Sequence, residues 1–179
     1  EGFTDKELKD LYDVIGLGGL KFFLLRVDPK KRMVFNPSES IDLHGYTATF
    51  IQYAYARIRS VLRKEGLLTG DDQPKTPPAI AVHAVSAVTP LLPLERALII
   101  TAEKYPAVIE QAGVEMNPSV LASYSFELAK AFNSFYGEHS IGNAETPDKK
   151  ALRLQVAQLT ANTLRSALGL LGIRVPERM

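Results

Sequence analysis

The sequence predicts a mainly α-helical bundle. Three observations carry that prediction. Between Gly45 and Lys64 no Gly or Pro interrupts the chain, and Ile51, Ala54, Ile58, Val61 and Leu62 recur at helical spacing. Two later stretches repeat the pattern at greater length. Leu121, Phe126, Leu128, Ala129, Phe132 and Phe135 line one face of 119–136, and Leu152, Val156, Leu159, Thr163, Ala167 and Leu170 form a stripe along 148–171. Finally, Pro93 and Pro118 stand where helices would start, and Gly113 and Gly172 where they would stop.

Taken in order, residues 1–15 read as a short amphipathic helix, with Phe3, Leu8, Leu11, Tyr12 and Ile15 apolar among charges. The run Gly16-Leu17-Gly18-Gly19-Leu20-Lys21 matches neither the dinucleotide fingerprint nor the Walker pattern. Its glycines are expected to let helices approach closely. Asp28-Pro29-Lys30-Lys31 marks a turn, Met33-Val34-Phe35 an extended piece, and Asn36-Pro37-Ser38 the start of a short helix to Ile41. Asp42-Leu43-His44-Gly45 is a loop into the central helix, which Thr47 or Thr49 can cap. Residues 66–78, rich in Gly, Asp and Pro, form a surface connection expected to be mobile. Ala79 to Val88 is a small-residue apolar run whose Val82, Val85 and Val88 also suit a strand. Helices are expected over 94–104 and 107–112, separated by Tyr105-Pro106, with Gly113 ending the second. The long helix 119–136, a loop over 137–147, the helix 148–171 and an extended tail, 175–179, complete the chain.

A chain of 179 residues can build one domain with a sizeable core, with or without an appendage. No apolar run is long enough to span a bilayer, and no signal peptide is visible, which points to the cytoplasm. The absence of cysteine excludes disulfides and thiolate metal sites. The net charge of +1 is low for a domain gripping nucleic acid by bulk electrostatics, so any such contact must come from a local patch. The first residue is Glu, and the expectation is a piece of a longer chain, cut at its N-terminus and intact at its C-terminus.

No catalytic constellation emerges. His44, His83 and His139 are far apart and have no Cys partners, so neither a zinc site nor a nucleophilic triad is expected. The chemistry-bearing feature is in the central helix. Phe50, Tyr53 and Arg57, spaced three and four apart, share a second helix face. A ring face beside a guanidinium can receive an unstacked nucleobase. The same rings could equally be core, and Arg57 a surface salt-bridge partner. Arg59, Arg63 and Lys64 read as solvated face that adds phosphate attraction.

Three segments resemble one family, in the right order. FIQYAYARIRSVLRK is similar to the signature helix of the arginyl-tRNA synthetase anticodon-binding domain, FELAKAFNSFYGEHSI to its Leu-Ala-x-x-Phe-Asn-x-Phe-Tyr segment, and GLLGIRVPERM to its Gly-Ile-x-x-Pro-Glu-x-Met ending. The resemblance runs from about Ile15 to Met179. It implies the helical bundle of the class I aminoacyl-tRNA synthetase anticodon-binding domain type, and places residues 79–88 within that bundle. It divides the chain into a stem-contact segment trailing the catalytic core (1–44) and the anticodon-binding domain (45–179). It also implies a tRNA(Arg) anticodon site: Phe50 and Tyr53 as the two aromatics of the signature helix, Arg57 one turn on, Tyr136 of the Phe-Tyr pair, and the terminal Met179. The discriminating base would be the middle cytosine of the arginine anticodon. Two departures stand out. The chain has Gly18-Gly19-Leu20-Lys21-Phe22 where the family often has Asp-Ala-Leu-Arg-Tyr, and Tyr46-Thr47-Ala48-Thr49-Phe50 where Asn-Thr-Gly-Pro-Tyr is common. The second replaces a tyrosine hydroxyl with bare phenyl at Phe50. The class I signatures His-Ile-Gly-His and Lys-Met-Ser-Lys-Ser are absent; in the family they lie upstream of Glu1. The resemblance therefore implies an arginine–tRNA ligase in full length, a monomer using ATP with Mg and arginine. Here it implies a fragment with no catalytic residue, metal or cofactor of its own, whose partners are tRNA(Arg) and the missing N-terminal catalytic domain. The rival readings are a helical protein-interaction or structural module of the same fold, and another class I synthetase's anticodon domain.

Overall fold

At the centre of the structure, a computed structural model that describes residues 2–40, 42–43, 45–68 and 90–179, stands the helix Ala48–Lys64. Around it lie six others among the described residues. In chain order they are α1 (Asp5–Leu25), α2 (Pro37–Ser40), α3 (Ala48–Lys64, the central one), α4 (Pro93–Glu103), α5 (Tyr105–Val114), α6 (Pro118–Glu138) and α7 (Pro147–Leu170). The fold is a mainly α-helical bundle. Ile51, Ala54, Ile58 and Leu62 of α3 are fully buried, as the apolar spacing predicts. They meet α1 on one side and α6 and α7 on the other. Thr47 caps α3, its hydroxyl accepting from the Phe50 amide at 3.2 Å. Gly66, at φ 72°, turns the chain out of α3 as the Leu67 amide reaches back to the Leu62 carbonyl at 2.9 Å. The expected mobile loop over 66–78 and the apolar run 79–88 lie outside the described residues from 69 onward, as do His44 and His83.

α1 is longer than the sequence predicts. It runs through the glycine-rich stretch to Leu25 instead of ending near Ile15; Gly18 and Gly19 are buried, Gly18 against Gln52 of α3. A Cβ on Gly18 would stand 2.6 Å from Nε2 of Gln52, a fully buried side chain. That amide donates to the Val14 carbonyl at 3.1 Å and to the Arg174 carbonyl at 2.9 Å, so one side chain joins α1, α3 and the C-terminal tail. Lys21 closes the same corner by donating to the Gly172 carbonyl at 2.5 Å.

Two boundaries and one stripe need correcting. α5 starts at Tyr105, with Pro106 in its first turn, and passes through Gly113. Met116, at φ 50°, makes the left-handed turn instead, and the Asn117 amide bonds to the Ala112 carbonyl at 3.0 Å. In α7, Val156, Thr163 and Ala167 of the expected stripe are buried and Leu152 partly so, whereas Leu159 and Leu170 are exposed; Leu154, Ala157, Ala161, Leu164 and Leu168 complete the buried face. Two cations at the start of that helix belong to it as well. Lys149 and Arg153 point inward and donate to the buried Glu95 at 2.5 and 2.8 Å. Glu95 also accepts from the Leu92 amide at 2.9 Å. Burial alone would raise its carboxyl, but the bonds from Lys149, Arg153 and Leu92 outweigh it and hold the group below the ordinary carboxylate range.

Candidate nucleic-acid interface

One turn of α3 separates Tyr53 from Arg57, so their side chains emerge side by side on the face turned away from the core. The Arg57 guanidinium sits 4.7 Å from the Tyr53 ring centroid and 5.3 Å from that of Tyr136 on α6. Its Nη1 donates to Oδ1 of Asn133 at 2.8 Å, one turn of α6 before Tyr136. Tyr136 in turn lies nearly parallel to the buried ring of Phe132, at 5.8 Å and 25°. A neutral partner and two ring faces hold this cation without cancelling its charge. Tyr53 and Tyr136 remain 43% and 37% exposed, and Met179 37%.

These four residues line a single groove of about 440 Å³, together with Phe3, Arg63, Glu177 and Arg178. Helices α3 and α6, the segment before α1 and the tail thus meet there. Of the five residues that the sequence singled out, Tyr53, Arg57, Tyr136 and Met179 come together. Phe50 does not line the groove. It is half-buried, its ring 5.0 Å from Phe126 and tilted by 44°. Tyr46 joins it on the other side, 4.8 Å from the Phe126 ring and with its hydroxyl 2.8 Å from that of Ser123.

A family model described as the DALR anticodon binding domain matches residues 51–179, the part of the chain that holds Tyr53, Arg57, Tyr136 and Met179. The chain belongs to the DALR anticodon binding domain family. Curated relatives named arginine–tRNA ligase include one from Flavobacterium psychrophilum, 44% identical over 179 residues, and one from Bacteroides fragilis, 43% identical over 186. In both cases all of this chain aligns with 28% of the relative, so the chain spans little more than a quarter of their length. Among solved structures, Thermus thermophilus arginyl-tRNA synthetase superposes with a TM-score of 0.79 at 31% identity, over 99% of this chain and 28% of that one. The Plasmodium falciparum arginyl-tRNA synthetase, at 22% identity and a TM-score of 0.76, shares the fold over 96% of this chain and 28% of its own.

In this DALR domain the tail is held to the groove by Glu177. Its carboxylate accepts from the Tyr55 hydroxyl at 3.0 Å, from Nε of Arg59 and from Nη2 of Arg165, while Arg63 donates to its carbonyl at 3.3 Å. Arg59 was expected on a solvated face, yet its side chain is only 1% exposed. Buried Tyr55 is likewise part of this clamp. Burial first, and then the Glu177 carboxylate, push its hydroxyl up to about 12, against the pull of Arg165 and Arg59. Tyr55 therefore stays a donor at neutral pH. The sequence holds one hint of the clamp, a lone acid two residues from the end of a stiff apolar tail, but the spacing of Arg59 along α3 reads as surface.

Among the described residues no group of three or more His, Asp or Glu side chains could hold a metal ion. No helix among them is long and apolar enough to cross a membrane.

Proposed function

We propose that this chain is the anticodon-binding part of an arginine–tRNA ligase and that the groove receives unstacked bases of the tRNA(Arg) anticodon loop. Residues 1–44 form the segment that follows the catalytic core, and 45–179 the anticodon-binding domain. The carrying observation is the convergence of Tyr53, Arg57, Tyr136 and Met179, from three distant parts of the chain, on one groove. Each residue has a role that its chemistry suits. Tyr53 and Tyr136 offer ring faces for stacking. Arg57, fixed between them, supplies charge at the edge of the stack. Met179 gives a pliable apolar contact. Phe50 lies outside the groove with its ring packed on Phe126 and is assigned no base contact. Selection of the middle cytosine over uracil rests on acceptors for its exocyclic amine, which uracil lacks.

The charge of the groove supports this reading over a module that binds only protein. Arg57, Arg63 and Arg178 line it beside Glu177; Arg59 and Arg165 match Glu177 and Glu7 matches Arg178, which leaves Arg57, held by a neutral amide and two rings, to supply charge. In the whole protein, ATP and arginine are the further substrates, and the catalytic part of the same chain is the partner that uses this docking.

A fluorescence titration of the tRNA(Arg) anticodon stem-loop against the 179-residue chain tests the proposal. Tyr53→Ala and Tyr136→Ala should each weaken binding by about 1–3 kcal/mol, the usual worth of one stacked base. Changing the middle cytosine to uracil should weaken the wild type as well. Wild-type affinity in both variants would refute the stacking groove.

A further inference from the structure

A second ring–cation pair lines the same groove. The Arg178 guanidinium lies 5.0 Å from the ring centroid of Phe3. Phe3 comes from the segment just ahead of α1, and the start of that helix fixes its position. Thr4 is the N-cap, with a reciprocal capping box to Glu7, so Phe3 leaves the helix at a defined point. Arg178 is fixed from two sides. Its Nη2 donates to Oε1 of Glu7 at 2.8 Å, and its neighbour Glu177 is clamped by Arg59 and Arg165.

Phe3 and Arg178 also line an adjoining depression of about 550 Å³, bounded by Lys6 and Asp10 of α1 and by Arg174 and Pro176 of the tail. They therefore stand between the two hollows and belong to both. The arrangement around Tyr53 and Arg57 is repeated here in kind: a partly exposed ring, a guanidinium against it, and open space on both sides.

Resting on the proposed anticodon reading, we infer that Phe3 and Arg178 form a second stacking platform, which receives another unpaired nucleotide of the same loop. Sugar and phosphate of that nucleotide pass toward the second hollow, where Lys6 supplies positive charge while Arg174 is matched by Asp10 at 3.1 Å. The loop is thus held at two points, one on α3 and α6 and one on the α1 start and the tail. A site of this kind reads a ring of any base, because every base has a π-face. It adds grip and registers the loop in the groove without choosing the base.

The test uses the 179-residue chain and tRNA(Arg) anticodon stem-loops that carry 2-aminopurine at one loop position at a time, so that quenching reports which base is stacked. Tyr53→Ala should relieve quenching at one position. Phe3→Leu, which keeps an apolar side chain but removes the flat ring, should relieve it at a different position and weaken binding about 5- to 100-fold. Phe3→Trp should restore both quenching and affinity, an outcome that a purely packing role would not produce. Thermal midpoints of the variants are measured alongside. Wild-type binding and quenching in Phe3→Leu, with Tyr53→Ala still impaired, would overturn the second platform and leave the groove reading standing. Relief at the same position in both variants would also overturn it, since Phe3 would then only buttress the first base. Wild-type behaviour in Tyr53→Ala and Tyr136→Ala as well would remove the groove reading itself.

Discussion

Replacing Glu177 with alanine should release the tail without unfolding the bundle. The size of the effect follows from the partners lost. Arg59 is buried and Glu177 about a third exposed, with side-chain exposures of 1% and 31%. Breaking a fully buried ion pair costs about 3–5 kcal/mol, whereas an exposed pair is worth about 0–1. A pair buried on one side only lies between these, at about 2 kcal/mol. The Tyr55 hydroxyl bond adds about 1 kcal/mol. Arg165, 46% exposed, adds little. The sum is about 3 kcal/mol, a shift of roughly 100-fold in the docking equilibrium of the tail. Ile173 and Pro176 are buried and the Ile173 amide bonds to the Leu168 carbonyl at 2.8 Å, so the detachment begins beyond that point.

The assay exploits the small number of methionines. The chain has three, Met33, Met116 and Met179, so a chain labelled with ε-13C methionine gives three methyl resonances. In the wild type the Met179 methyl is in a groove lined by two tyrosine rings, and its shift should depart from the random-coil value. In Glu177→Ala it should move to that value and sharpen, the Met33 and Met116 signals staying in place, and affinity for the anticodon stem-loop should fall at least tenfold. Glu177→Gln, which keeps an acceptor for Tyr55 but not the charge, should lie between. A Met179 methyl unmoved by the alanine substitution would refute the clamp. A displaced methyl with wild-type affinity would refute the tail's share in binding.

Two further substitutions test what holds the bundle in shape. Gly18→Ala forces the Gln52 amide out of its bonds to Val14 and Arg174 and should cost about 2–4 kcal/mol in a denaturant titration. Gly16→Ala, with nothing within 4 Å of the added methyl, should be neutral or stabilise by up to about 1 kcal/mol, so equal effects at the two positions would contradict the packing described. Glu95→Gln leaves Lys149 and Arg153 buried without their shared carboxylate and should destabilise by about 3–5 kcal/mol. The pH dependence has a definite sign. The Glu95 carboxyl is held below its ordinary 4.5 in the folded chain, so the stability it contributes is present above that pH and is lost as pH falls below it. The unfolding midpoint of Glu95→Gln should accordingly change less than that of the wild type from about pH 4.5 downward.

Helices were legible where one physical signal acted alone. The apolar spacing of α3 places Ile51, Ala54, Ile58 and Leu62 in the core, and Pro93 and Pro118 mark helix starts because a helix's first turn leaves its amides unbonded in any case. Reading failed where tertiary packing overruled a local rule. Gly16 to Gly19 looked like a helix end, yet α1 continues because close approach to Gln52 favours a residue without a side chain. Gly113 looked like a terminator, but the left-handed turn fell on Met116. In α7 Val156, Thr163 and Ala167 are buried as the stripe predicts, but Leu159 and Leu170 are exposed, while Lys149 and Arg153, which no apolar pattern selects, are buried. Both cations turn inward toward an acid more than fifty residues away, and no local pattern encodes a partner at that distance. Arg59 was missed for the same reason, its partner Glu177 lying 118 residues on.

The same long-range pairing explains how a chain of net charge +1 can present a positive groove. The balance of 21 basic and 20 acidic residues describes the whole sequence, whereas a ligand meets only the charge left after internal matching. Glu177 is the acid that lines the groove among the described residues, and its carboxylate accepts from Arg59 and Arg165. Arg57 meanwhile is held by a neutral amide and two rings, none of which offsets its charge. The buried pair with Arg59 therefore has two consequences at once: it fixes the tail that carries Arg178 and Met179, and it takes the carboxylate out of competition with an incoming phosphate or base edge. Net charge is a poor guide to such a surface, and the pairing of each charged side chain is the quantity that decides it.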